Sequence, residues 1–273
     1  MKRNIIIILF LLFSAFGKTA LAAETVKFSM LPRFFPEKIT AMTTPLAAYL
    51  SEKTGLNIKA VLTKNFAEYE NEVLNGNILI GYSNPVVYTK ISSVHEVLAM
   101  AVKGKGGDKF RGIIISRPDS GIESIKDLIH KKIMIIGPTA AGGLLSQKIT
   151  MIENGIDIDK DCQVVVATDN KQENVIISVS IGDSDAGFIR ESALHVADKY
   201  IQPGTISVVA ETAWLPNWAF SVNRNMPADK KQAIKKTLLE LKKDSDVMKA
   251  INLDGFNEAS DTDYDALRKV MGK

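Results

Sequence analysis

Cysteine is almost missing from this chain. Cys162 is the only one among 273 residues, which excludes an intrachain disulfide and leaves burial to hold the fold together. Cys162 itself reads as a small, partly buried hydrophobe. Histidine is nearly as scarce, and His95, His130 and His195 show no metal-ligand spacing. There is no Gly-x-Ser-x-Gly elbow, no GxxxxGK[ST] loop and no dinucleotide fingerprint. No catalytic residue, metal or cofactor is therefore expected, and an enzyme is the weakest of the functional classes. Internal repeats and low-complexity tracts are missing as well.

Long apolar runs are confined to one place. Ile5 to Phe13 follows Lys2 and Arg3 and leads to Ala20-Leu21-Ala22-Ala23. This run falls short of the ~20 residues a spanning helix needs. A charged start, a short apolar stretch and a small-residue exit predict a secretory signal peptide over residues 1–23, with a retained membrane anchor as the alternative. Cys162 lies far from that junction, so no thiol is available there for a lipid. The remainder is expected in the periplasm as a soluble monomer, where ATP and nicotinamide cofactors are scarce. Charge of one sign is not in excess either. The leader holds Lys2, Arg3 and Lys18 and no acid, so taking three from the 34 Lys+Arg leaves 31 against 31 Asp+Glu. Nothing in that balance points to nucleic acid or an anionic membrane. About 250 residues then suit two lobes better than one core.

What is present is an alternation of short β-branched runs with helical patterns. Val26 to Met30, Ile58 to Leu62, Ile78 to Tyr82 and Val97 to Val102 read as strands. Between them lie helices over Thr40 to Lys53, stopped by Gly55, and Phe66 to Leu74, closed by Asn75-Gly76. A second series follows: strands Gly112 to Ser116, Ile133 to Ile136, Gln163 to Ala167, Asp185 to Ile189 and Ile206 to Ala210. Its helices span Gly142 to Asn154 and Glu173 to Ser180. The strand Trp218 to Asn223 leads out, and Pro227-Ala228-Asp229 opens a helix from Lys230 to Lys243. Strands separated by helices imply parallel pairing in layered α/β lobes. The expected division places 24–112 and 218–273 in one lobe and 113–217 in the other. Two strand passages, Gly112–Ser116 and Trp218–Asn223, would form the hinge.

Six segments in order resemble the phosphate/phosphite/phosphonate-type periplasmic binding proteins of ABC transporters. They are Pro45 to Leu56, Asn75-Gly76 through Tyr82-Ser83-Asn84-Pro85-Val86-Val87-Tyr88, Arg117 to Leu128, Gly182 with Asp185-Ala186-Gly187, Leu215-Pro216-Asn217, and Asp263 to Arg268. The resemblance implies a two-lobed type II binding-protein fold, a small anionic ligand and an ABC permease as partner. The same receptor feeding a membrane kinase or cyclase is the second reading, and a secreted cofactor-free enzyme the third.

The candidate site residues each carry an alternative. Where the family has Ser-Thr-Ser-Gly, this chain has Thr139-Ala140-Ala141-Gly142. Backbone N–H groups at a helix start would remain to hold an anion; otherwise the segment is a glycine-rich turn. Gln172 stands where the family often has histidine. Tyr82 and Asn84 lie at a strand's carboxyl end, where ligands of open sheets bind, but Tyr82 could be a core aromatic and Asn84 a turn former. Arg190 could take a carboxylate or phosphoryl group, and Glu191 a ligand amine, unless the two form a surface pair. Trp214 and Trp218 would stack on ligand or pack the hinge. Loss of the hydroxyls predicts weak binding of phosphate and simple alkylphosphonates, and preference for an organic solute meeting Tyr82 and Trp214.

Overall fold

A computed structural model describes residues 25–272, and the expected signal peptide lies outside them. The first passage of the chain runs through β1 (Thr25–Met30), α1 (Pro36–Thr54), β2 (Asn57–Val61), α2 (Phe66–Leu74), β3 (Ile80–Ser83), α3 (Pro85–Ile91) and β4 (His95–Val102). Helix α1 begins earlier than its pattern suggests because Pro36, at the first turn, needs no N–H partner. It ends at Gly55, whose φ of 72° is left-handed and cheap only for glycine.

The chain then builds a second sheet from β5 (Lys109–Ser116), β6 (Lys132–Ile135), α4 (Ser146–Glu153), α5 (Ile158–Asp161), β7 (Gln163–Val166), α6 (Gln172–Ser180), β8 (Ala186–Arg190) and β9 (Ser207–Pro216). It returns through β10 (Ala219–Asn223), α7 (Ala228–Leu239), α8 (Asp246–Ile251), β11 (Gly255–Glu258) and α9 (Asp265–Val270). The sheets are ordered β11-β4-β10-β3-β1-β2 and β7-β6-β8-β5-β9. The architecture is thus mixed α/β, with helices beside two separate sheets.

The parallel pairing expected throughout holds only in part. Strand β1 is parallel to β2 and β3, and β6 to β7 and β8. Antiparallel pairs join β10 to β3 and β4, β11 to β4, and β5 to β8 and β9. Strand β10 enters its sheet from the other lobe, so no crossover helix fixes its direction. The expected hinge passages, Gly112–Ser116 and Trp218–Asn223, lie next to the places where the chain crosses between the sheets. Gly112–Ser116 and Ala219–Asn223 are each paired on both sides within a sheet, where backbone bending would break ladders. The sheet-to-sheet crossings are short, over residues 103–108 and 217–218. There Asn217 N donates to Asp108 O at 2.8 Å, and Gly104 and Gly107 take φ of 64° and 63°.

The second sheet is covered on both faces, as β5 makes plain. Ile114 joins one apolar cluster with Leu128 and Phe188, whereas Ile113 and Ile115 join another with Val175 and Ile189. That is the period-two alternation of a strand buried on both sides. The first sheet packs around Phe28, Tyr69, Tyr88 and Phe220. Leu267 of α9 and Val86 of α3 pack into the Ile114 cluster, so the C-terminal segment touches both cores. Cys162 packs at the edge of that cluster, its Sγ 3.2 Å from Leu128 O, and burial pushes its thiol up to about 11.

Asn84 caps α3: its side chain accepts from Val87 N at 2.8 Å. Asn84→Ala should cost about 1 kcal/mol in urea unfolding and leave ligand affinity unchanged. A tenfold loss of affinity at full stability would return Asn84 to the binding site.

Candidate functional site

Beyond the end of β1 the chain turns through Leu31 and Pro32 to Arg33. The Arg33 guanidinium lies 4.6 Å from the Phe34 ring centre and 5.0 Å from that of Trp218. Tyr82, from β3, packs its ring 5.0 Å from Trp218 and is buried. Opposite them, β8 ends on Arg190, whose guanidinium stacks 4.2 Å over Phe110. These groups surround a cavity of 190 Å³ lined by Arg33, Phe34, Tyr82, Arg190, Asn217 and Trp218, among others. Both sheets and the return crossing thus contribute walls.

Arg33 and Arg190 form no ion pair among the described residues. Burial lowers both guanidinium groups below their ordinary values, and the charge of Arg33 lowers Arg190 further. The Tyr82 hydroxyl acts against the shift at Arg33, while burial drives its own pKa upward. Arg33 keeps an exposed face and Arg190 is half-buried, yet two cations facing one space without an acid between them repel each other. Asn217 adds a donor: its Oδ1 accepts from Trp218 N at 2.9 Å, and its Nδ2 has no partner among the described residues.

The Arg190–Glu191 surface pair does not form. Glu191 instead accepts from Arg111 Nε at 3.0 Å and Nη2 at 2.8 Å, and that bond holds its carboxyl below the usual range. Glu191 starts a 3-10 turn after β8, and with its carboxylate held by Arg111 it does not line the small cavity. Arg111 also meets Glu211 and lies 4.6 Å over Trp214. Trp214 therefore stands in a neighbouring chamber, and Trp218 is the indole of the small cavity.

Gln172 positions Arg190 from behind, its Oε1 accepting from Arg190 N at 3.0 Å. Gly142 is also brought there. A Cβ at that position would sit 3.2 Å from Cβ and Cγ of Arg190, so the absence of a side chain lets Arg190 cross the helix start. The segment enters a π-helical turn, Ala141–Leu145, that runs into α4. Buried Gln147 ties this turn to both neighbouring strands: its Nε2 lies 3.0 Å from Gly142 O, 3.1 Å from Ile113 O and 2.9 Å from Ile189 O. Thr139, Ala140 and Ala141 do not line the small cavity. Thr139 is exposed, and Ala140 makes no side-chain cap.

Of the cavity's polar lining residues, Arg33 and Asn217 were not singled out as ligand contacts from sequence. The first had a usable signal, because it follows a strand that is parallel to its neighbours, at the edge where open α/β sheets bind ligands. Among the described residues, no helix is long and apolar enough to cross a membrane, and no cluster of three or more His, Cys, Asp or Glu is placed to hold a metal.

Comparison with known proteins bears on what such a cavity holds. The family model described as ABC transporter, phosphonate, periplasmic substrate-binding protein matches residues 28–264. A curated relative, the phosphate-import protein PhnD of Mycolicibacterium smegmatis, is 23% identical over 279 residues, covering 90% of this chain and 85% of its own. PhnD1 from Prochlorococcus marinus, solved in complex with methylphosphonate, superposes with a TM-score of 0.65 at 12% identity, over 90% of this chain and 96% of that one. XAC2383 from Xanthomonas citri, solved bound to chloride and bound to ATP, reaches 0.70 at 15% identity, over 91% and 96%.

Proposed function

The chain belongs to the periplasmic substrate-binding proteins of phosphonate ABC transporters, a family that binds small ligands and works with membrane permeases, and on that premise we propose that Arg33 and Arg190 clasp the ligand's anionic head. The observation that carries this is the pair of guanidinium groups lining one cavity with no carboxylate partner among the described residues. A phosphonate or phosphate group would pair with both and remove their mutual repulsion. Asn217 Nδ2 supplies a neutral donor beside them.

The mechanism is binding and lobe closure, with no covalent step. Bringing the two lobes together without an anion sets Arg33 against Arg190. With an anion between them the same approach becomes favourable, so ligand and closed state stabilise each other. Bending falls at residues 103–108 and 217–218, between the lobe of 24–112 and 218–273 and that of 113–217. The closed form, in the periplasm, is what the permease receives.

In a thermal-shift experiment, methylphosphonate or phosphate at millimolar concentration should raise the melting temperature. An uncharged solute such as glycerol at the same concentration should not. No shift with any phosphonate, phosphate or small carboxylate would defeat the reading.

A further inference from the structure

The anion cavity does not end at Arg190. A second chamber of 640 Å³ shares Lys103 and Arg190 with it as walls and is lined further by Lys105, Lys109, Phe110 and Trp214. At 190 Å³ the first cavity is smaller than the roughly 300–1,000 Å³ typical of sites for drug-sized ligands, and the second falls within that range. Its charge is one-sided. Lys103, Lys105, Lys109 and Arg190 form no ion pair among the described residues, although the charge of Lys105 acts on Glu191 and that of Lys103 on Asp254. The one carboxylate on its wall, Glu191, is held by both arms of the Arg111 fork. Lys103 is anchored by a neutral acceptor, Asn252 Oδ1, at 2.8 Å. Trp214 leaves 46% of its surface exposed here, a large aromatic area with only Arg111 stacked on it. A third cavity, of 310 Å³, near Leu194 and Val208 has no lysine or arginine on its wall, and its His195 and Asp198 pair with each other at 3.0 Å.

From this geometry we infer that the second chamber is a continuation of the ligand site, and that the ligand is an organic phosphonate or phosphate ester carrying a second anionic group. The inference rests on the Arg33–Arg190 reading for the first anionic group. The organic body passes Arg190 and packs on Trp214, and the second anion lies among Lys105 and Lys109. A methylphosphonate-sized solute would leave the chamber's cations unanswered, whereas an uncharged tail would meet only Trp214 and Phe110.

Calorimetry with methylphosphonate, butylphosphonate, 4-phosphonobutyrate and 6-phosphonohexanoate tests this. The better of the two carboxylated compounds should bind at least tenfold tighter than butylphosphonate. The double variant Lys105→Gln/Lys109→Gln, with both changes at exposed positions, should erase that advantage and leave methylphosphonate within twofold of the unaltered protein. Equal affinities for butylphosphonate and both carboxylated compounds would overturn the second anion site while leaving the first standing. The same follows if the double variant weakens methylphosphonate as much as the others. Binding of every phosphonate that survives Arg190→Gln unchanged would overturn both readings together.

Discussion

Arg190→Gln should nearly abolish binding of a phosphonate head, and Arg33→Gln, at a more exposed position, should weaken it. Truncating one partner of a desolvated, hydrogen-bonded charge pair costs about 2–5 kcal/mol, roughly thirtyfold to several-thousandfold in Kd. The larger share should fall on Arg190, since burial and the charge of Arg33 both act on it. What separates a ligand contact from a structural role is the empty protein. Neither arginine has an acid partner among the described residues and the two repel each other, so removal of one takes away a cost of the unliganded fold. The melting temperature without ligand should therefore hold or rise as affinity falls. Calorimetry with methylphosphonate, paired with thermal unfolding of the unliganded variants, measures both quantities. Affinity within threefold of the unaltered protein at both positions would sink the clasp. A matching collapse of stability would assign these residues to packing instead.

Acidification should weaken the fold in a measurable part through His95. Its ring is fully buried between β10 and the approach to β3, with Nε2 3.1 Å from Ile78 O and Nδ1 3.1 Å from Ser221 Oγ. A carbonyl can only accept, so Nε2 carries the proton, and Nδ1 accepts from the Ser221 hydroxyl. Burial, opposed in part by the Ile78 carbonyl and assisted by the Arg224 charge, pushes the ring down to about 4 from an ordinary 6.5. The unfolded chain therefore takes up the proton first. The stability is whole above pH 6.5, is lost as pH falls towards 4, and amounts to about 3 kcal/mol across that window. Urea titrations at pH 7 and pH 4.5 on the unaltered protein and His95→Gln isolate it, because shared carboxylates cancel in the difference. The unaltered protein should lose about 2–3 kcal/mol more than the variant. Parallel losses would mean that His95 is already charged or solvated in the fold.

Much of the architecture was legible in the order of residues. Apolar runs of strand length between helical patterns place most of β1 to β10, and Gly55 and Pro227 mark helix ends through backbone constraints that are local. Strand β11 and helices α5 and α8 were not legible. Gly255–Glu258 has no alternating apolar pattern, and it is a strand only because β4 offers it a free edge. Arg190 was recognisable as a candidate because it closes a strand. Its freedom from Glu191 was not legible, because that carboxylate is taken by Arg111 from another strand.

The chain's own sequence thus determined which segments fold as helix or strand, because propensity, capping and periodicity act over a few residues. Tertiary structure alone decided who meets whom. Arg33 and Arg190 are far apart along the chain and face one cavity only because two sheets are joined at residues 103–108 and 217–218. Tyr82 became a wall beside Trp218, Asn84 a helix cap, Gln172 a support for Arg190, and Trp214 the floor of a second chamber. Charge makes the same point. Whether an arginine is spent on a neighbouring acid or left for a ligand depends on side-chain direction and burial across strands, and no local pattern encodes either for residues this distant.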